Sequence, residues 1–403
     1  SVGSVERIKN VAQRIVRRQQ EDHQLVVVVS AMGHSTDELI QLARQICDPP
    51  PPREYDALLA TGEQVSAALV AMAIHALGVK AISLTGSQAG VITESVHSKA
   101  RIRKVHPERM LKELHKGNIL IVTGFQGASA DGDIITIGRG GSDTSAVVLA
   151  AALKADICEI FTDVDGVYTT DPRLCDSAQK LPCIGYEEML ELASLGADVM
   201  HPRSVEAGLL NKVVIHVRSS FNQSEGTLIK EVSDMERERA VTGVALAGDQ
   251  AKFVIRDVPD RPGIAALIFS ALAQHKINVD MIIQATQKDG SNSITFTVSR
   301  DDLKQTLTVT THAAQALGES SVVEYDNAVC KVSIVGVGMI SQSGVAAQMF
   351  SALADLGINI ELISTSEIKI SCVVRESDGQ KAVQALHKAF ALDQVLHAPV
   401  ASV

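Results

Sequence analysis

The chain of 403 residues contains no tryptophan, and aromatic residues make up only 3% of it. Hydrophobic residues nevertheless reach 46%, so the interior must be built mainly from valine, isoleucine, leucine and alanine, as is typical of α/β proteins. At this length two or three domains are expected, each large enough to bury a core of its own.

Cysteine pairs and long apolar stretches are also missing. The six cysteines include no C-x-x-C motif, which favours reduced thiols over disulfides or a zinc site. No apolar stretch is expected to reach the roughly 18 residues of a membrane-spanning helix, and the N-terminus shows no basic-then-apolar signal pattern. These features predict a soluble, cytoplasmic protein without a membrane partner.

Positive charge is scarce, because 37 lysines and arginines face 47 acidic residues and leave a net charge of -10. Nucleic-acid binding depends on neutralising phosphates with lysine and arginine, so no nucleic-acid partner is expected. An anionic substrate would need a local basic pocket. The 12 histidines show no convincing ligand pattern, and no metal site is predicted from protein ligands.

Short apolar runs alternate with helical periodicity over roughly the first 230 residues. The runs predict strands at 25–29, 81–84, 119–122 and 157–161. The periodicity predicts helices at 5–18, 37–46, 55–77, 107–116 and 144–154. This alternation is typical of a doubly wound, mostly parallel sheet in an α/β fold.

An internal repeat fills the rest of the chain. At an offset of 81 residues Gly263 aligns with Gly344, and residues 269–272 and 277–278 align with 350–353 and 358–359. Each copy reads as a small α+β unit, and residues 231–240 before them are dense in charge. We therefore predict a first domain at 1–230, a linker at 231–240, and two repeated domains at 241–325 and 326–403.

The strongest motif is the segment Gly138-Arg139-Gly140-Gly141-Ser142-Asp143, which follows a strand-like run and opens a predicted helix. Its glycines let the backbone approach an anion, the helix start offers free N–H groups, and Arg139 can clamp a carboxylate. An ordinary glycine-rich turn with a polar N-cap is the alternative. The arginine together with three glycines favours the anion site. The segment is neither a Walker loop nor a dinucleotide fingerprint.

A second motif, TDVDGVYTTDPR at residues 162–173, lies just beyond a predicted strand, where ligands bind in open α/β sheets. Asp163 could bind ribose or Mg²⁺-associated water, Tyr168 could flank a base, and Arg173 could meet a phosphate. A polar turn rich in Asx caps is the alternative for any one of these residues. Near Gly336 and Gly338 the sequence imitates a dinucleotide site, but the third glycine is missing, which disfavours NAD binding.

Eight segments, in this order, resemble those of aspartate kinases: VVVVSAMG, TGEQ, TGFQG, GRGGSDTSA, TDVDGVYTTDPR, PDRPGIA, INVDMI and ELISTSEI. The resemblance implies an amino-acid kinase domain followed by two ferredoxin-like ACT domains. It also implies that ATP and Mg²⁺ are used to convert L-aspartate to 4-phospho-L-aspartate, the first step toward lysine, threonine and methionine. The resemblance further implies feedback inhibition by lysine and/or threonine and a homodimer formed through the ACT domains.

The resemblance also implies roles for single residues. Arg139 would hold a substrate carboxylate, Glu63 would meet the ammonium group, and Asp143 would orient the catalytic side chains. Glu63 taken alone reads as a solvated helix charge. The full aspartate site would be Ser30, Thr36, Glu63, Phe125, Arg139 and Ser142, with Arg139, Ser142 and Asp143 as catalytic residues. The nucleotide site would be Gly140, Gly141, Thr162, Asp163, Tyr168, Arg173 and Asp198, and the effector sites Asp260, Gly263, Ile264, Asn278, Gln284, Asn359 and Ser364.

Two departures from the family pattern stand out. Family members begin with a strand and Lys-Phe-Gly-Gly-Thr directly upstream of Ser1, so we expect an N-terminal segment with a phosphate-contacting lysine to be missing from this sequence. Asp198 stands where relatives usually carry a lysine, and a carboxylate there would repel phosphate. The alternatives are therefore a weak or silent amino-acid-sensing regulatory protein, and a kinase for another amino acid such as glutamate.

A substrate carboxylate is already ionised at neutral pH and needs no general base. Catalysis should therefore rest on alignment of the reactants and neutralisation of the transferring phosphoryl group. No catalytic histidine is expected.

Overall fold

The structure is a computed structural model, and it describes residues 2–196, 199–232, 239–286, 291–317 and 321–394. Its first sheet has three parallel strands, in which β1 (Val26–Val29) and β2 (Ala81–Leu84) flank β5 (Ile119–Thr123). Every residue of β5 is buried. A strand buried on both faces reads as a continuous apolar run, which is why the sequence predicts β5 so closely. Strand β1 is mostly half-buried and β2 exposes Ser83, but both keep a short apolar run.

Helices cover both faces of this sheet. On one face, α1 (Val5–Gln19) and α4 (Thr61–Ala76) pack against β1 and β5. On the other, α5 (Glu108–His115) and α6 (Gly141–Leu153) bury Met110 and Leu149. Helix α1 begins at the N-cap Ser4, whose hydroxyl accepts the N–H of Arg7. This layering confirms the predicted α/β class.

One long apolar helical stretch corrects the sequence-based expectation. Helix α3 (Pro52–Leu59) continues through Ala60 into α4, and within the described residues this pair is long and apolar enough to span a membrane by length and composition. Half of its most apolar window is buried in the protein. Val70 and Ile74 are fully buried in the core beside α1, as expected of a core helix.

Two further sheets complete the first 230 residues. In one, β4 (Ile102–Val105), β3 (Val91–Thr93), β6 (Gln126–Ala128) and β7 (Ile134–Thr136) lie side by side in that order. The other has the order β8-β10-β11-β9, built from β8 (Cys158–Thr162), β9 (Cys183–Gly185), β10 (Ile215–Ser219) and β11 (Thr227–Lys230). Three more helices are α2 (Ser35–Ile46), α7 (Tyr186–Ser194) and α8 (Pro202–Asn211). Because α6 contacts both β1 and β8, it lies over the first sheet and the β8 sheet alike.

The C-terminal part is built on one antiparallel sheet of six strands in the order β13-β14-β12-β15-β17-β16. Its strands are β12 (Gly243–Pro259), β13 (Ile282–Thr286), β14 (Ser291–Val298), β15 (Val322–Val335), β16 (Leu362–Thr365) and β17 (Lys369–Arg375). Its helices are α9 (Ile264–Gln274), α10 (Leu303–Leu317), α11 (Val345–Ala354) and α12 (Gly379–Ala389).

The two long central strands, β12 and β15, belong to both repeats. Phe253 of β12 packs in the core of the first repeat, whereas Val244 of the same strand packs with Val332 in the core of the second. The pairing of β12 with β15 shifts register between Ala247 and Lys252, and such bulges turn a strand from one packing surface to another. The sequence-based division at 325/326 therefore falls inside β15. Most of the predicted linker, residues 233–238, lies outside the described residues.

Candidate active site and its family

The carboxyl ends of β1 and β5 lie side by side at one edge of the first sheet. The N–H of Gly124 donates to the carbonyl of Val29 at 2.9 Å, which joins the segment after β5 to the end of β1. Ser30 follows β1 directly, Phe125 lies two residues beyond β5, and both keep some exposure. Since ligands in open α/β sheets bind at this edge, the two residues stand where the sequence places a substrate.

The glycine-rich loop packs against this edge through contacts that only glycine allows. Gly140 has a φ of +68°, and a Cβ built on it would lie 2.1 Å from the Cβ of His201. A Cβ on Gly141 would lie 2.9 Å from the ring of Phe125, and one on Gly124 would lie 2.7 Å from the hydroxyl of Ser142. Phe125, Gly141 and Ser142 are therefore brought together.

Arg139 is exposed at the tip of this loop. Within the described part of the chain it has no ion-pair partner, so its guanidinium is available to an anion. The loop is supported from outside the predicted set, since Arg203 Nη1 donates to the carbonyl of Ile137 at 3.1 Å. Helix α6 begins directly after this loop, and its N-terminus adds a partial positive charge beside Arg139.

Glu63 is the most unusual side chain of the site. It is only 3% exposed, one carboxylate oxygen accepts the N–H of Ala31 at 3.2 Å, and the other has no partner in the described structure. Burial raises the pKa of Glu63 from 4.5 to about 7. Its interpretation as a solvated helix charge is therefore wrong. A buried carboxylate with a vacant oxygen is a ready acceptor for an ammonium group.

Two further predicted residues lie at helix starts. Asp143 is half-buried in the first turn of α6, and burial raises its pKa from 3.8 to about 6. Thr36 is half-buried in the first turn of α2, a few residues beyond the end of β1. Raised carboxyl pKa values cluster at functional sites, so Glu63 and Asp143 both support a site at this edge.

The second motif follows β8, under the same helix α6. The hydroxyl of Thr162 donates to Asp163 at 3.0 Å, and the hydroxyl of Tyr168 donates to Asp165 at 2.8 Å. Arg173 is exposed and forms a two-pronged ion pair with Asp171, at 2.7 Å for the closest pair of atoms. Asp198 lies outside the described residues.

This motif is also tied to the C-terminal part of the chain. The hydroxyl of Thr169 lies 2.8 Å from Nε2 of His387, a buried residue of α12. The N–H of Val244, on β12, donates to the carbonyl of Thr169 at 2.7 Å. Two C-terminal elements therefore contact the residue that follows Tyr168, and the sequence gives no sign of either contact.

The glycine pair that imitates a dinucleotide site has another role in the structure. A Cβ on Gly336 would lie 2.3 Å from the carbonyl of Ala240, and one on Gly338 would lie 2.3 Å from that of Arg239. Both glycines are thus explained by close packing of the backbone at the junction between the two parts of the chain.

Known proteins provide the decisive comparison. Residues 1–219 match the amino acid kinase family, and residues 253–315 and 332–390 match the ACT domain. Aspartokinase 2 of Bacillus subtilis strain 168 is 51% identical over 394 residues, which cover 98% of this chain and 96% of that protein. The chain belongs to the aspartokinase family. It is an aspartate kinase, and its ACT domains are those of an allosterically regulated enzyme of amino-acid biosynthesis.

Solved aspartokinase structures agree with this assignment. The aspartate kinase of Synechocystis is 46% identical, with a TM-score of 0.54, and the match covers 100% of this chain and 69% of that one. Aspartokinase III of E. coli in complex with lysine and aspartate is 25% identical, with a TM-score of 0.73, and the match covers 91% and 92% of the two chains. A silent regulatory protein is accordingly not favoured.

The predicted effector residues of this aspartokinase lie on the outer parts of its ACT sheet. Asp260 accepts the side-chain amide of Asn292 at 2.9 Å, and Gly263, with a φ of +95°, is the N-cap of α9. Ile264 is buried in the core of the first repeat and is not available to a ligand in this conformation. The polar members are exposed or half-exposed near the two edge strands, Asn278 and Gln284 near β13 and Asn359 and Ser364 near β16.

Proposed function

We propose that this aspartokinase transfers the γ-phosphoryl group of ATP to the side-chain carboxylate of L-aspartate, giving 4-phospho-L-aspartate. The observation that carries the site assignment is Glu63, whose buried carboxylate keeps one oxygen without a partner. An α-ammonium group supplies the missing donor and the compensating charge. Arg139, exposed and without an ion-pair partner in the described chain, faces the carboxylate end of the same substrate.

Ser30, Thr36, Phe125 and Ser142 complete the proposed acceptor pocket. Hydroxyls of Ser30, Thr36 and Ser142 offer donors to a carboxylate, and the ring of Phe125 packs beside Gly141 and shields the pocket from water. The attacking carboxylate needs no base, so these residues serve alignment. Asp143, half-buried at the helix start, orients the loop that carries Arg139 and Ser142.

The nucleotide is proposed to lie between the glycine loop and the end of β8. N–H groups at the start of α6, near Gly140 and Gly141, suit its phosphates, while Thr162, Asp163 and Tyr168 suit the ribose and base. Arg173 would have to exchange Asp171 for a phosphate. Asp198 belongs to the proposed set by sequence alone.

Mg²⁺ is proposed to enter with ATP. The described residues contain no group of three or more His, Cys, Asp or Glu side chains that could hold a metal ion. Magnesium usually keeps several waters and binds through one or two carboxylates plus substrate phosphates, which is compatible with Asp163 as a single contact. Neutralising charge on the phosphoryl oxygens is the chemistry that the ion would supply.

The test is an acyl-phosphate assay in which hydroxylamine traps the product of aspartate, ATP and Mg²⁺. We expect Arg139→Ala to raise the KM for aspartate by about 10-fold or more, since hydrogen bonds to a charged partner contribute about 1.5–3 kcal/mol. Arg103→Ala, on an exposed strand of the β4 sheet, is the matched control. No trapped product from the wild-type protein at high ATP, or glutamate accepted as well as aspartate, would contradict the proposal.

Regulation by lysine and/or threonine is proposed for the ACT domains, in line with the lysine complex of the E. coli relative. Among the ion pairs that cross between the repeats in the described part of the chain, two involve equivalent positions of the repeat. Lys331 of the second repeat pairs with Asp280 of the first, and Lys252 of the first pairs with Glu361 of the second. Asp280 and Glu361 occupy equivalent positions of the repeat and follow Asn278 and Asn359 by two residues. An effector bound near Asp280 or near Glu361 would therefore change an ion pair to the other repeat.

A homodimer through the ACT domains is proposed on the basis of exposed apolar residues. Ile282 on β13 is 54% exposed and Ile363 on β16 is 41% exposed, at equivalent positions of the repeat on two edge strands. Light scattering would show a mass near 43 kDa, rather than twice that, if the proposal fails. We also propose a cytoplasmic location, where six free cysteines stay reduced. The proposed reaction is the first step of the synthesis of lysine, threonine and methionine.

A further inference from the structure

One carboxylate of the kinase domain is fully buried although it belongs to neither proposed ligand site. Asp56, in α3, is 0% exposed. Nδ1 of His97 lies 2.8 Å from one of its oxygens, the hydroxyl of Thr136 donates to the other at 2.6 Å, and the N–H of Ser98 reaches both at 3.1 Å. The Ser98 hydroxyl adds a fourth donor at 3.3 Å. A buried charge persists only when donors fill its oxygens, and here they come from two separate segments.

These segments lead to the two ends of the proposed aspartate pocket. Asp56 lies on the helical stretch that continues through Ala60 and carries Glu63. Thr136 is the last residue of β7, directly before the loop that carries Arg139. A second buried link runs alongside, because the amide of Gln126, the residue after Phe125, donates to the carbonyl of Ala60 at 2.8 Å.

Ser98 transmits the constraint to the glycine loop. Its φ is +68°, a strained value for a residue with a side chain, and its N–H and hydroxyl are both bound to Asp56. In this conformation its carbonyl oxygen lies 3.0 Å from the place where a Cβ of Gly138 would stand. Asp56 therefore holds a strained residue against the first glycine of the loop.

We propose that Asp56 is a positioning residue for the amino-acid acceptor. Through His97, Ser98 and Thr136 it fixes the spacing between the carboxylate of Glu63 and the guanidinium of Arg139. This inference rests on the proposal that Glu63 and Arg139 hold the two ends of aspartate. Misplacing a binding group by about 1 Å costs up to about 100-fold in rate, so the spacing decides how well aspartate is held.

The test compares Michaelis constants for the two substrates. Asp56→Asn keeps the size of the side chain but turns one acceptor into a donor that faces other donors. We expect the KM for aspartate to rise about 10-fold and the KM for ATP to rise by a clearly smaller factor, because both proposed ends of aspartate depend on this cluster, whereas the proposed ribose and base contacts at Thr162, Asp163 and Tyr168 form no hydrogen bond with it in the described structure. An equal rise in both constants would overturn the inference.

His97 allows a matched pair of variants. Its side chain is 24% exposed, so a substitution there should disturb the fold little. His97→Ala removes the donor, whereas in His97→Asn the amide nitrogen stands near the former Nδ1. We expect His97→Ala to raise the KM for aspartate about five-fold and His97→Asn to restore most of the difference. If Asp56→Asn does not fold, this pair decides the question, and equal constants in the two variants overturn the inference.

Two control variants separate this inference from the proposed function. Glu63→Gln and Arg139→Ala are measured in the same assay. If neither changes the KM for aspartate, the acceptor site itself is misassigned. If both raise it while Asp56→Asn and His97→Ala leave it unchanged, only the positioning role of Asp56 is refuted.

Discussion

Replacement of Glu63 by glutamine should stabilise the kinase domain at alkaline pH and lower its affinity for aspartate. In the folded protein the pKa of Glu63 is about 7, against 4.5 for an ordinary glutamate. The folded state therefore binds the proton more tightly than the unfolded chain, and stability falls as the pH rises from 4.5 to 7. At about 1.4 kcal/mol per pH unit, the ionised carboxylate costs the apo protein about 3 kcal/mol above pH 7.

Urea unfolding at pH 5 and pH 8 measures this cost. A glutamine amide leaves a donor without a partner at both pH values, at about 1–3 kcal/mol, and this constant term cancels in the comparison. We expect the free energy of unfolding of Glu63→Gln, relative to wild type, to increase by about 2–3 kcal/mol between pH 5 and pH 8. Glu206→Gln, at an exposed position of α8, is the control and should show no such increase.

The same variant should lose affinity for aspartate. Removing one partner of a buried charge pair costs about 2 kcal/mol or more, which corresponds to a KM for aspartate raised at least about 30-fold. In the wild-type enzyme kcat/KM for aspartate should rise with pH through about 7, as Glu63 ionises, and this rise should be absent in the variant. A pH-independent stability difference, or an unchanged KM, would refute the reasoning.

Three other predictions follow from contacts described above. Gly140→Ala should abolish most activity, because its Cβ would overlap the Cβ of His201 and its φ is left-handed; partial recovery of activity with His201→Gly, which removes that Cβ, would show that the overlap contributes to the loss. Burial lowers the pKa of His387 below 6.5, so the contact of its neutral ring with Thr169 should weaken as the pH falls below 6.5. After correction for the slower intrinsic exchange in acid, the protection factors of the amides in residues 168–171 should fall between pH 7 and pH 5.5 in wild type but not in His387→Gln. Arg139→Lys, which loses the two-pronged fork, should raise the KM for aspartate about 10-fold and leave the KM for ATP nearly unchanged.

The sequence predicts the central layers of the kinase domain well because their signal is local. The apolar run of β5 is buried throughout, and those of β1 and β2 are buried or half-buried apart from Ser83, so each strand is visible from its own residues. The glycine loop is visible for the same reason, since three glycines and an arginine before a predicted helix form a local pattern.

Hydrogen bonds between side chains far apart in the sequence could not be predicted. Asp56 meets Thr136 across 80 residues and Thr169 meets His387 across 218, and each of these side chains taken alone is an ordinary polar residue. Glu63 shows the same limit, because its burial is decided by the packing of α4 and not by its neighbours in sequence. Only the folded chain reveals that its carboxylate is short of a partner.

The sharing of β12 and β15 has a consequence for engineering. A fragment that starts after Asp249 would leave the second repeat without the strand contributed by residues 243–247, and a cut at residue 325 would sever β15 between the two cores. Sensory specificity therefore cannot be exchanged between relatives one repeat at a time. The smallest unit that can be exchanged is the whole span from β12 to α12. Chimaeras joined before Gly243 should fold, whereas chimaeras joined between the repeats should not.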